Sequence, residues 1–216
     1  MEKVAFRSLR LCPLRMSRHT TNNPQELRSH IAFEAARLIS ESGIRDYAFA
    51  KRKAAARLGI SDDFALPKNS EIEEALREHQ RLFHADDQPR RLRALREAAV
   101  EAMRFFAPFE PRLVGAVLDG TADAHSAVCL HLFSDDPDAP LRLLDEHDIA
   151  HEIDTRRLRL DRDQEVEFPV VRLVAKKIVI DITIFAFDGL RQAPPNRING
   201  QPMQRAPLSA VELLLT

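Results

Sequence analysis

The chain has 216 residues, 44% of them hydrophobic and 30% charged, with a formal net charge of −1. That is enough for one large or two small domains with real cores, and the balanced charge excludes bulk electrostatic binding to nucleic acid or to an anionic membrane. Two cysteines, Cys12 and Cys129, are too few for a disulfide framework and point to a reducing, cytoplasmic compartment. The most apolar stretch, 178–187, is interrupted by Asp181 and is too short to cross a bilayer, so no membrane span is expected.

Residues 1–22 carry five basic residues and one acidic one, without the apolar run of a secretory signal. They are expected to form a flexible basic tail; an Arg-rich organelle-targeting peptide is the other reading, and Met16 is an alternative start. A helical region of about four helices is expected over 23–110. Asn23 followed by Pro24 is a start signal, Leu27, Ile31, Ala35, Leu38 and Ile39 mark one face, and Gly43 is the stop. A second helix is expected over 45–58, ending near Gly59, and a loop over 60–69. Ser70 and Glu73 have the spacing of a capping box at the head of a third helix, with Ile72, Ala75, Leu76, His79 and Leu82 in phase. Pro89 opens a fourth, with Leu92, Leu95, Ala99, Met103 and Phe106 in phase, and Pro108 and Pro111 end it. Gly43 followed by the basic run Lys51, Arg52, Lys53 and Arg57 resembles the start of some helix-turn-helix regulators; a solvated helical face is the plainer account.

From 111 to 216 the period shortens to two. Strands are expected over 126–134, 151–160, 167–175 and 177–187, with 112–118 as a strand or a strand-to-helix approach. A short helix is expected over 140–147, a hairpin turn at Lys176-Lys177, a Pro- and Arg-rich tail, and a final helix over 208–215. The fold class is therefore α+β: a helical region, then a mixed sheet with flanking helices.

The run GAVLDGTADAHSAVCL, starting at Gly115, carries the chemistry. Gly115, Gly120, Thr121, Ala122, Asp123, His125, Ser126, Val128 and Leu130 match the spacing of a known signature, and the run resembles that of the nucleotidyltransferase superfamily in its minimal bacterial form. The resemblance covers residues 113–187. It implies a nucleotidyltransferase-like sheet on which Gly115, Gly120, Thr121 and Ser126 bind nucleotide. It also implies that three carboxylates hold Mg2+ or Mn2+, the metals stabilising charge on the transferring phosphoryl oxygens. Two of those carboxylates belong at i and i+2 on one strand, where side chains share a face. Here those positions hold Ala127 and Cys129. Asp181, in IVIDITIF, matches the third and is the catalytic and metal-binding candidate.

The residues leave other readings open. Cys129, His131 and Asp181 make a zinc-type ligand set if the strands bring them together; a small core cysteine and a buried histidine are the alternative. Asp181 has a second reading as the partner of an arginine such as Arg156 or Arg172. Asp135 and Asp136 read as a helix-start pair, or as replacements for a missing metal ligand. Arg156, Arg157 and Arg159 read as a charged strand edge or as phosphate contacts, with Arg157 on the opposite face from its neighbours.

Two functions follow from the resemblance. One is an enzyme moving a nucleoside monophosphate from an NTP to an RNA, protein or small-molecule acceptor. The other is a catalytically inactive module of the same architecture that binds nucleotide, RNA or a protein partner.

Overall fold

The computed structural model describes residues 23–44, 46–60, 66–83, 87–123, 125–161, 164–196 and 198–216. The expectations for the first 22 residues, Cys12 and Met16 among them, lie outside the described residues, as do residues 61–65 of the loop expected over 60–69.

Helix α1, Pro24–Ser42, begins and ends as its sequence demands. The Asn23 side chain accepts a hydrogen bond from the Gln25 N–H, Pro24 takes the first turn, and Gly43 stops the helix at φ 65°. Helix α2, Tyr47–Arg57, is capped by Asp46, whose carboxylate accepts from the N–H groups of Ala48 and Phe49. Helix α3 spans Asn69–Phe83. Its start differs from the expected capping box. Glu71 accepts from the Lys68 N–H at 2.6 Å, whereas Glu73 is buried. The reason is helical phase: Glu73 follows Ile72 on the side that meets α1, so it turns inward, and Glu71 faces the helix start. Leu82 likewise departs from the expected buried stripe and is exposed.

Helices α1 to α3 close a small core of their own around Ile31, Ala35, Leu38, Ala50, Ala54, Ile72 and Leu76. Alanines on α1 and α2 let the helix backbones approach closely. Helix α4, Gln88–Phe105, faces elsewhere: Leu95, Ala99, Met103 and Phe106 join the core of the sheet. The helical region is thus divided three and one, and α4 joins its two parts.

Five strands form one mixed sheet: β1 Arg112–Val114, β2 Val128–Phe133, β3 His151–Asp161, β4 Gln164–Ala175 and β5 Ile178–Phe185. Their spatial order is β1-β2-β5-β4-β3, and β2 runs parallel to β5 while the other pairs are antiparallel. The chain is α+β, as expected. Lys176 and Lys177 make the β4–β5 turn with φ of 51° and 70°. Two successive positive φ values are what a two-residue hairpin loop requires, and lysine is tolerated here without glycine.

Alternation divides the sheet. Leu113, Leu130, Ile182 and Val171 lie in one row across four strands and face the core shared with α4, with α6 (Ala139–Glu146) and with α7 (Leu208–Leu213). The adjoining row on the opposite face is Val114, Cys129, Asp181 and Arg172. Helix α5, Ala116–Asp119, is a single turn between β1 and β2. The Pro-rich tail returns to β1, where Ala206 and Leu113 exchange both backbone hydrogen bonds at 2.9 Å. Among the described residues no helix is long and apolar enough to cross a membrane.

Candidate functional site

The glycine run folds as a strand, one helical turn and a locked loop. Gly115 sits at φ 73°, ψ −155°, a region closed to residues with a Cβ. Gly120 ends α5 at φ 80°. Polar side chains from the helical region then hold the loop. Gln80 Nε2 donates to the Thr121 carbonyl at 2.7 Å and Gln88 Nε2 to the Gly120 carbonyl at 2.8 Å. Beyond them, Ser126 Oγ donates to Asp123 Oδ1 and accepts from the Asp123 N–H, both at 2.9 Å. Ser126 therefore serves as a turn lock.

A cavity of about 250 Å³ lies between this loop and helices α1 to α3. Gly115, Thr121, Ser126, Ala127 and Cys129 line it, so most of the expected nucleotide-binding positions do surround one space; Gly120 lies behind it. The tail closes one side with Asn196, Ile198, Met203 and Gln204. At Gly43 the cavity wall is tight: a Cβ there would stand 3.0 Å from the His125 ring.

The wall is acidic. Among the described residues it holds Glu73, Asp119 and Asp123 and neither lysine nor arginine. The Tyr47 hydroxyl donates a short hydrogen bond to Glu73 Oε2. Burial first, and the Glu73 charge second, push the Tyr47 hydroxyl above its ordinary range, so it stays protonated. Burial also pushes the Asp119 carboxyl up, with Glu73 adding to the shift and Arg77 opposing it. These groups come from α2, α3 and α5, and the sequence analysis missed them. One signal was present: Ile72, Glu73, Leu76 and Gln80 all lie on the buried side of α3, which places polar groups where only apolar ones are needed.

Asp181 has a different setting. It stands beside Cys129 in register on β2–β5, as the resemblance requires, but it is 5% exposed and lies outside the cavity wall. Arg156 Nη2 donates to its Oδ2 at 2.9 Å and Arg172 Nε to the same oxygen at 3.3 Å. The second reading of Asp181, as an arginine partner, describes what is observed, and both named arginines take part. Arg156 also donates to Thr183 Oγ1 at 3.1 Å, and Arg172 to Asp154 at 3.0 Å. Arg157 lies on the other face, as expected, and binds Glu167 at 2.7 Å.

The zinc-type set does not assemble. His131 Nδ1 accepts from Arg205 Nε at 3.0 Å, which occupies one ring nitrogen. Burial, then Arg205 and Arg156, drive the imidazole down to about 3. Arg205 lies over the Phe133 and Phe185 rings, 5.0 Å from each centroid. Asp181 is held by two guanidiniums, and among the described residues no three His, Cys, Asp or Glu side chains are placed to hold a metal ion. Magnesium fits no better, since it needs several hard oxygens and finds Ala127, a thiol and a single carboxylate whose Oδ2 already accepts from two guanidiniums. Asp135 and Asp136 supply none either: Asp135 accepts from the Phe187 N–H at 2.9 Å and Asp136 from Arg142 at 2.5 Å.

Three of the four basic residues of α2 are engaged locally. Lys51 Nζ donates to the Pro67 carbonyl at 2.9 Å, Arg57 pairs with Glu34 at 3.1 Å, and Lys53 lies over the Phe49 ring. No family model matches the chain, and neither a curated protein nor a solved structure matches it, so its own geometry carries the functional reading.

Proposed function

We propose that the chain is a cytoplasmic ligand-binding module of nucleotidyltransferase-like architecture that does not carry out metal-assisted nucleotidyl transfer. The observation that carries this reading is the pairing of Asp181 with Arg156 and Arg172 at 2.9 and 3.3 Å. Metal-assisted transfer places divalent cations against carboxylates. Here guanidiniums balance the one carboxylate that the motif retains, and Ala127 and Cys129 add no hard oxygen. The charge needed to hold the sheet face together is built into the chain. What stays open to a ligand is the cavity at the glycine loop, between the two parts of the molecule.

Incubation with each of the four labelled NTPs, Mg2+ or Mn2+, and RNA or protein acceptors tests the proposal. The expected result is no transfer of label by the wild-type chain. Transfer that Asp181→Ala abolishes would overturn the proposal and establish the transferase. That second reading has one favourable observation: Asp181 and Cys129 are register partners on the same face, the placement the resemblance asks of two metal-binding positions.

A further inference from the structure

We infer that the cavity at the glycine loop binds a small organic cation, an amine or guanidinium on an apolar body, and not a triphosphate. The inference deepens the reading of the chain as a binding module and names the ligand class for its cavity.

Three observations carry it. The first is charge. Glu73, Asp119 and Asp123 line the space, and among the described residues no lysine or arginine does. A triphosphate brought there without cations meets like charge in a partly dehydrated setting, where Coulomb terms are several times larger than in water. Arg77 approaches Glu73 only at 3.9 Å and is itself exposed, so it offsets the wall weakly. Helix α5 has four residues and aligns too few peptide dipoles to reverse the sign.

The second observation is unmet hydrogen-bonding capacity. Asp123 Oδ1 accepts from Ser126 and from the His125 N–H, and Glu73 accepts from Tyr47. Asp119 does neither: among the described residues its carboxylate has no hydrogen bond and no ion pair, and only burial and the charges of Glu73 and Arg77 act on it. Thr121 is 5% exposed, faces the same cavity and has no hydrogen-bond partner for its hydroxyl among the described residues. Both acceptors open onto the same cavity, where a donor brought by a ligand can reach them.

The third observation is shape. Ile39, Ile44, Leu76, Ile198 and Met203 give the same cavity an apolar lining. The volume, about 250 Å³, falls just below the ~300–1,000 Å³ of drug-sized pockets. It suits a ring or short chain with one cationic end, the methionine adapting to its outline.

Three probes of one size separate the possibilities by calorimetric titration of the full chain: phenethylamine, 2-phenylethanol and 3-phenylpropionate, with MgATP as a fourth. Phenethylamine is expected to bind at least about tenfold tighter than the alcohol, the value of one charge-assisted contact, and the carboxylate and MgATP more weakly still. Asp119→Asn is expected to remove that preference while leaving the alcohol's affinity unchanged; losing a carboxylate that has no partner leaves the fold intact. Equal affinity for amine and alcohol, a preference for 3-phenylpropionate or MgATP, an Asp119→Asn variant that keeps the preference, or no heat from phenethylamine would each overturn the inference. Label transfer from NTP, measured on the same preparation, judges the module reading separately. An inert chain that prefers MgATP loses only the ligand class, whereas an Asp181-dependent transferase loses the module reading.

Discussion

Asp181 and Asp119 are carboxylates on the same continuous stretch of α/β structure, one on the sheet face and one on the glycine loop, and they are treated in opposite ways. Asp181 is nearly inaccessible and shares one oxygen between two guanidiniums. Asp119 is half-buried, has no partner among the described residues and sits near a second carboxylate. Burial alone would single out Asp181 as the unusual group. Charge balance singles out Asp119, and the contrast teaches that a perturbed but unpaired group beside a cavity marks a binding site better than a deeper one whose charge is already answered.

The largest effect expected at pH 7 tests the answered charge. Asp181→Ala leaves Arg156 and Arg172 facing each other with no carboxylate between them. Breaking a buried pair by removing one partner costs about 3–5 kcal/mol. The arginine side chains are 33% and 41% exposed, and water reaching them places the expected loss near the low end, about 3 kcal/mol. Urea unfolding should show it as a lower midpoint with an unchanged slope. Replacing all three residues with apolar ones of similar volume should recover most of the loss. A cost below about 1 kcal/mol would place the cluster with ordinary surface ion pairs and erase the contrast with Asp119.

The next effect comes from His131, one residue pair along the same face. Its neighbours are Arg205, which donates to Nδ1, Arg156, and Thr183 and Phe185 on β5. The folded-state value is depressed from 6.5 to about 3, so the folded protein resists protonation that the unfolded chain accepts. Stability from this source is full above pH 6.5 and falls as the pH drops through that window to about 3. Over the whole window the loss is on the order of 5 kcal/mol by linkage, none of it felt at pH 7. Acid titration of stability should fall steeply over that window, and His131→Gln should flatten the fall. An unchanged slope in that variant would assign acid sensitivity to other groups.

How far the sequence could be read follows from how local each feature is. Helix α1 was legible from Asn23-Pro24 to Gly43, because the cap, the proline and the left-handed stop all lie within the segment they shape. The β4–β5 turn at Lys176-Lys177 was legible for the same reason. The expected capping box failed at Glu73, because the same four-residue spacing serves a helix start or a buried face, and the contact with α1 decided between them. At Asp181 both arginine partners were among the alternatives, but their simultaneous presence depends on strand register: Arg172 is its direct cross-strand neighbour, and Arg156 reaches across from β3. The Tyr47, Glu73 and Asp119 group left one trace in the sequence, the polar residues on the buried side of α3; three separate elements bring it together, and no spacing in the chain encodes the rest.

The smallest effect has the opposite sign from the others and so sharpens the comparison most. Burial and Glu73 raise the Asp119 carboxyl above its unfolded value, so the folded protein binds this proton more tightly than the unfolded chain does. The ionised carboxylate is therefore a handicap to folding at neutral pH, fully present above the folded value and removed as the pH falls below the unfolded one. Asp119→Asn deletes the handicap: its urea midpoint at pH 7 should exceed that of the wild type, and the two should converge in acid. An organic cation in the cavity does the same work without mutation. Phenethylamine should thus raise the wild-type midpoint at pH 7, with little effect on Asp119→Asn and little effect at low pH. A variant less stable than the wild type at pH 7 would mean that Asp119 already has its answer within the folded chain, as Asp181 does, and the two carboxylates would no longer differ in kind.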